Sequence, residues 1–418
     1  MQKLYIKGGK SLKGELQVSG AKNAVLPIIA AALLTDQPLT ITNVPLLRDV
    51  KTMLTLLQDM GVHFDITEQG VLNLNASGTR NFFADYDLVR TMRASILVLG
   101  PLLAKFGQAK ISLPGGCAIG ARPVDIHLRG LEAMGATIKL KQGYINAQAK
   151  KGLRGADIHL PKISVTGTEN LLMAASLARG RTVLYNAARE PEIVDLATFL
   201  NQLGANIQGA GSDVITIDGV TQLSGGRYQV MPDRIEAGTL LAAAMMTQGD
   251  ITLKHVKPED MTTVLNTFEH AGADIDYGDD WIALRMAKRP QAVDVTTAAY
   301  PGFPTDMQAQ MMAINSIAKG NSHIKEMIFE NRFMHVQELR RMGADIELDG
   351  HAAYCRGVKK LIGAKVMATD LRASAALVLA GLAAEGETVI DRVYHIDRGY
   401  VTIEKKLSTL GAIIERIN

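Results

Sequence analysis

At 418 residues, 47% of them hydrophobic and 21% charged, the chain is long for a single core and has ample capacity to bury apolar surface, so two or three domains are expected. Lys and Arg exceed Asp and Glu by only three, and aromatic residues make up 5% with a single Trp281, which disfavours a nucleic-acid binder built on a basic face or on base-stacking platforms. The two cysteines form neither a disulfide framework nor a metal-ligand spacing; a reducing cytoplasm, no metal and no cofactor are the expectation.

In chain order, KLYIKGG from Lys3 alternates like a strand, and Lys3, Lys7 and Lys10 are followed by polar sequence, so no secretory leader is expected. The longest apolar run, Ala24 to Leu34, contains Pro27 and is too short to span a bilayer; it reads as a buried helix, with no membrane partner. Beyond it one unit recurs. A hydrophobic helix ends in a glycine and a β-branched strand begins, in DMGVHF, AMGATI, QLGANI, HAGADI, RMGADI and TLGAII. The glycines, Gly61, Gly135, Gly204, Gly272, Gly343 and Gly411, lie 68 to 74 residues apart, so the repeat is a supersecondary block and each glycine suits a helix C-cap. An earlier helix in each block ends at a turn (AALLTDQP, LLAKFGQA, SLARGRT, MMTQGD, SIAKGNS, LAAEGET), and a β-rich stretch follows it. Each block therefore reads strand, helix, strand, helix, strand, strand.

The last strand of the block is VLNLNA, YINAQA, VITIDG, WIALRM and AAYCRG in the first five, whereas the sixth stops at Asn418 before reaching it. The leftover N-terminal strand is inferred to close that sheet. Six blocks divide most simply into a continuous domain of three repeats over 20–230 and a discontinuous one made of 1–19 plus 231–418. The chain would cross twice, near Gly20 and Met231, an arrangement suited to a cleft that opens and closes on ligand.

Unusual polar residues fall at equivalent places in the blocks. The first helices start at Lys22-Asn23, Arg93, Thr168, Asp233-Arg234, Thr305-Asp306 and Asp370 with Arg372; the second at Arg48, Cys117 with Arg122, Arg189, Lys257, Arg332 and Arg398. Thr168, Asp233 and Asp370 read equally as ordinary N-caps. An arginine at a helix start opposes the helix dipole and needs an anion, which favours Arg93, Arg122, Arg332, Arg372 and Arg398 as ligand residues; Arg48 and Arg189 serve equally as surface ion-pair partners. Lys22, directly before an apolar helix, reads as functional, and His127 as a packed or capping histidine. Pro301, Gly302 and Pro304 form a rigid turn that would hold Asp306 in one direction. Cys355, in the strand-like AAYCRG, reads as core. Cys117 differs: in PGGCAIGARPVD it follows Gly115 and Gly116 at a helix start with Arg122 downstream, a setting that favours thiolate formation and close approach to an anionic ligand.

SGAKNA (19–24), TMRAS (91–95), PGGCAIGARPVD (114–125), PDRIE (232–236), FPTDMQAQ (303–310), FENRFMH (329–335), ATDLRASA (368–375) and HIDRGY (395–400) together resemble the UDP-N-acetylglucosamine enolpyruvyl transferases of the EPSP synthase-like superfamily, over essentially the whole chain. The resemblance implies an α/β fold of two inside-out barrels, six βαβαββ units with three in each domain. It implies transfer of the enolpyruvyl group of phosphoenolpyruvate to the 3′-hydroxyl of UDP-N-acetylglucosamine, the first committed step of peptidoglycan synthesis. By motif position, Cys117 would be the general acid and the site of a phosphothioketal adduct, Asp306 the base, Lys22 a third catalytic residue, and Lys22, Asn23, Arg122, Arg332, Arg372 and Arg398 the phosphoenolpyruvate site. The nucleotide-sugar site would take Asn23, Arg93, Arg122, Pro123, Val124, Asp125, Ile126, Lys162, Ile163, Ser164, Val165, Asp306 and Ile328. Cysteine at 117 also implies sensitivity to an epoxide phosphonate such as fosfomycin. The competing readings are a sister transferase acting on shikimate 3-phosphate, and a non-catalytic binding protein built from the same repeats.

Overall fold

Six glycines set the rhythm of the backbone in the computed structural model, which describes residues 2–113 and 124–418. Gly61, Gly135, Gly204, Gly272, Gly343 and Gly411 all have φ between 89° and 99°, the left-handed region that a side chain rarely adopts. Each ends a helix in the same way. The amide three residues past the helix returns to a carbonyl five residues back (Val62 to Leu57, Ala136 to Leu131, Ala205 to Leu200, Ala273 to Phe268, Ala344 to Leu339, Ala412 to Leu407) at 3.0–3.1 Å, the Schellman bond. The chain then turns directly into a strand.

The described chain forms two units, 2–19 with 232–418, and 20–113 with 124–231. Each holds three four-stranded sheets, and every sheet combines one parallel with two antiparallel pairings. The first helices of the blocks are mostly apolar and largely buried within their unit. Lys22–Ala31, Leu99–Phe106 and Val165–Ala175 pack in one unit, and Arg234–Met246, Gln308–Ile317 and Leu371–Ala383 in the other. Ala24 to Leu34 is indeed buried, as the helix Lys22–Ala31 and a following 3₁₀ turn. No helix among the described residues is long and apolar enough to cross a membrane.

The N-terminal strand does complete the last sheet. Lys3–Lys7 lies between Glu387–Asp391 and Ile413–Ile417, antiparallel to both, with Leu4 and Ile6 fully buried, and occupies the place that Ala352–Arg356 takes in the fifth-block sheet. A second exchange was not legible. Lys13–Gln17, just before the first helix, pairs in parallel with Asp250–Lys254 of the fourth block, whereas Gly226–Gln229, just before the fourth block's helix, pairs with Leu39–Thr42 of the first. Where the chain passes between units, the Ala21 amide donates to the Met231 carbonyl at 2.7 Å and the Asp233 amide to Ser19 at 2.8 Å.

Candidate active site

In the unit containing residues 20–231, Lys22 opens its helix where the dipole disfavours a cation, and a carboxylate compensates. Its Nζ lies 2.9 Å from Asp49 Oδ2 in the first turn of Arg48–Asp59, and both side chains are buried. Asn23 is half-buried beside it and Arg48 is exposed. Arg93 begins a 3₁₀ turn, Arg93–Val98, and its charge bears on His127, which is 3% exposed. Burial first, then Arg93, push the His127 imidazole down to about 4, against the pull of Asp125. His127 Nδ1 takes a hydrogen bond from the Asn170 amide at 2.9 Å, and Nε2 sits 3.4 Å from Thr166 Oγ1. It is a neutral packing histidine.

Asn170 is a hub that sequence reasoning missed: its amide also donates to the Ile96 carbonyl at 2.9 Å, and its Oδ1 accepts from the Gly100 amide at 2.6 Å. The segment Lys162 to Val165 leads into the helix Val165–Ala175, with Lys162 and Ile163 exposed. Ser164, not Thr168, is the cap, accepting from Gly167 N–H at 3.2 Å; Thr168 lies one turn inside and accepts from the Ala188 amide instead. A Cβ on Gly167 would fall 2.9 Å from Ile126 Cγ2, so this glycine lets Asp125 and Ile126, at the start of Asp125–Ala133, approach Ser164 and Val165. Val124 is half-buried just before that helix, whereas Cys117, Arg122 and Pro123 lie outside the described residues.

In the other unit the polar groups converge on Asp306. Its Oδ1 is 2.7 Å from Arg332 Nη2 and its Oδ2 3.3 Å from Arg372 Nε, with Arg332 5% and Arg372 2% exposed. Arg332 Nη1 also donates to Thr305 Oγ1 at 2.8 Å. Thr305 Oγ1 in turn donates to Glu326 Oε2 at 2.9 Å, and Glu326 Oε1 accepts from Thr297 Oγ1 and from the amides of Ile328 and Phe329. A buried carboxylate thus fixes both the Asp306 turn and the segment that carries Ile328 and Arg332. The turn from Ala298 to Phe303 is closed by backbone bonds, but the direction of the Asp306 carboxylate is set by the two arginines.

Arg372 follows its cap Asp370, which accepts from the Arg372 and Ala373 amides at 2.9 and 3.0 Å; Asp233 caps Arg234–Met246 similarly. Burial opposes the Arg372 charge, but Tyr400, Asp306 and Asp233 more than offset it, and its pKa is raised. The guanidinium lies 5.4 Å from the Tyr400 ring centroid and interacts with the Tyr400 hydroxyl, and its Nη1 and Nη2 are buried. Burial raises the Tyr400 phenol, whose hydroxyl is 3.0 Å from Thr239 Oγ1. Gln310 ties this pair to the turn by donating to Thr239 Oγ1 and to the Asp306 carbonyl at 3.0 Å each.

Two arginines differ from their sequence placement. Arg332 precedes the helix Val336–Arg341, and Arg398 ends the 3₁₀ turn Val393–Arg398, well before Ile403–Thr409. Neither opposes a helix dipole; Arg332 is compensated by Asp306. Cys355 is core: it is 1% exposed, and burial pushes its thiol up to about 12.

The profile of the EPSP synthase (3-phosphoshikimate 1-carboxyvinyltransferase) family matches residues 6–407. Curated proteins called UDP-N-acetylglucosamine 1-carboxyvinyltransferase, from Coxiella burnetii strains Dugway 5J108-111 and RSA 493, are 57% identical over 100% of this chain and 96% of their own length. Among solved structures, the enolpyruvyl transferase NikO from Streptomyces tendae aligns with a TM-score of 0.87 at 24% identity over 99% of this chain and 98% of that one. An EPSP synthase from Acinetobacter baumannii aligns at 0.78 and 19% over 100% of both; at these identities the two likenesses establish the fold alone.

Proposed function

The chain belongs to the EPSP synthase family, and within it we infer that it transfers the enolpyruvyl group of phosphoenolpyruvate to the 3′-hydroxyl of UDP-N-acetylglucosamine, releasing phosphate. This is the first committed step of peptidoglycan synthesis, and a cytoplasmic location fits it. The observation that carries the reading at the level of chemistry is Asp306 clamped by two buried arginines. A carboxylate so held is an oriented proton acceptor, and the guanidiniums beside it offer fixed positive charge to an anionic donor.

In the proposed reaction Asp306 takes the proton of the sugar 3′-hydroxyl as its oxygen bonds to C2 of phosphoenolpyruvate, and Cys117 delivers a proton to C3. The C2–O bond to phosphate then breaks, a C3 proton leaves, and the vinyl ether and inorganic phosphate result. Lys22, Asn23, Arg122, Arg332, Arg372 and Arg398 are the proposed holders of phosphoenolpyruvate, whose charge grows on the departing phosphate. Asn23, Arg93, Arg122 to Ile126, Lys162 to Val165, Asp306 and Ile328 are the proposed nucleotide-sugar contacts. Gly167 supports part of that set, because it lets Ile126 and Val165 approach within one unit. Cys117 is also the proposed site of the phosphothioketal adduct and of alkylation by fosfomycin.

The test is phosphate release from phosphoenolpyruvate with either UDP-N-acetylglucosamine or shikimate 3-phosphate, by the wild type and by Cys117→Ala. Release with the nucleotide sugar alone, abolished in the variant, is expected. Release with shikimate 3-phosphate would overturn the acceptor, and release by Cys117→Ala at the wild-type rate would overturn the acid.

A further inference from the structure

One sizeable cavity among the described residues is lined by none of the site residues assigned above. It is an open groove of about 940 Å³ within the unit containing 20–231, on the outer face of the second-block sheet, whose strands are Phe83–Ala84, Gln108–Ser112, Tyr144–Gln148 and Thr137–Lys141. Register places Lys110, Asn146 and Lys139 in one row across three strands, with Gln108, Gln148 and Thr137 in the next. The turn after Gln148 adds Lys150 and Lys151. Arg154 and Arg179 sit side by side in a parallel bridge, and Arg80 closes the rim.

No carboxylate lines this groove, and none of these cations makes an ion pair among the described residues. The sister sheets provide internal controls, because the same repeat presents the same face elsewhere. In the third-block sheet Arg181 forks onto its cross-strand partner Asp218 at 2.8 and 2.9 Å. In the fifth, Arg356 pairs with Asp345 and Glu347 at 3.2 and 3.0 Å; in the sixth, Lys3 with Asp391 at 2.9 Å; in the fourth, Lys254 with Glu15 at 3.8 Å. Four sheets neutralise an outward cation with a carboxylate of their own. The second-block sheet accumulates cations instead, in a protein whose net charge is only +3.

Several of these cations are held in place. Arg80 donates to the carbonyls of Ser77 and Thr79 at 3.1 and 2.7 Å, Arg179 donates to the Lys151 carbonyl, and Lys110 lies 5.0 Å from the ring centroids of both Phe83 and Tyr144. Like charges gathered on one face repel, and a multivalent anion reverses the sign of that interaction. The amides of Asn146, Gln108 and Gln148 add hydrogen-bonding capacity between the charges, and the volume is that of a small-ligand site. We propose that this groove binds a small anion carrying two or more phosphate groups, at a site separate from the transferase chemistry.

The probe is inorganic tripolyphosphate, titrated calorimetrically into the full chain and into Lys110→Gln/Lys139→Gln/Lys150→Gln. These three side chains make no hydrogen bond or ion pair within the described protein, and the exposed cation–π contact of Lys110 is offset by the relief of like-charge repulsion, so the variant should keep its unfolding temperature and its rate of phosphate release. The expected result is saturable binding to the wild type that weakens with salt, and at least a tenfold loss of affinity in the variant, since each charged contact is worth about tenfold. Equal affinity in the two proteins, or no binding to the wild type at millimolar probe, would overturn the proposal. Tighter binding of a poly-glutamate peptide than of tripolyphosphate would overturn it too, by making the groove a dock for acidic protein.

Discussion

Lys22 and Asp306 sit in different units, and the two units solve the same electrostatic problem differently. Around Lys22 a buried ammonium meets a buried carboxylate, Asp49, so the pair can be kept from water without a ligand. Around Asp306 two buried guanidiniums share a single carboxylate, and Arg372 also rests against Tyr400. The first arrangement fixes a charge in place, and the second presents more cation than carboxylate to the proposed anionic donor. Burial alone does not say how much positive charge a site offers: Lys22 is matched one to one by Asp49, whereas Arg332 and Arg372 share Asp306.

The largest effect should come from the second arrangement. Asp306→Asn keeps the shape but removes the proposed proton acceptor, and steady-state phosphate release should fall by about 10³-fold, with a lowered unfolding temperature because two buried guanidiniums lose their counter-charge. A fall below tenfold would make Asp306 only a counter-ion for its arginines. Asp49→Asn breaks the first arrangement and leaves Lys22 without this carboxylate, which should cost about 3 kcal/mol in urea unfolding; an unchanged midpoint would erase the distinction between the two sites.

Acid sharpens the contrast further. His127, neutral in the folded protein with its imidazole down at about 4, takes up a proton on unfolding between about pH 4 and pH 6.5. Its contribution is therefore intact above pH 6.5 and is lost as pH falls to 4, about 3 kcal/mol in all. His127→Gln should flatten that limb of the stability profile relative to the wild type. The smallest effect is expected at Glu326→Gln, which replaces one acceptor oxygen in the network behind Thr305 and should lower kcat/KM by about tenfold, through kcat more than KM. A loss confined to stability would make Glu326 purely structural.

The parts of the fold that were legible in the sequence are those dictated locally. A left-handed residue after a helix demands glycine, so six glycines exposed six helix ends. The strand left over at the N-terminus matched a strand missing at the C-terminus, and the sheet pairing bears this out. The exchange of Lys13–Gln17 and Gly226–Gln229 was hidden, because nothing in a short strand says which distant parallel neighbour it will join. At the site, the arginines and Asp306 stood out by their positions, whereas Asp49, Asn170, Glu326 and Tyr400 did not. Their roles come from partners 20 or more residues away, and the signal each carried was only a polar residue in an apolar setting, as Glu326 is in HIKEMIF. Arg332 and Arg398 were selected by a dipole argument that the helix boundaries then removed.

The most direct test of the central claim is turnover in deuterium oxide, followed by mass spectrometry of the nucleotide-sugar product. Addition followed by elimination makes C3 a methyl group for the life of the intermediate, so the account predicts solvent deuterium in the product's vinyl group. A product with no deuterium at that carbon would contradict the proton delivery assigned to Cys117 and the mechanism built on it.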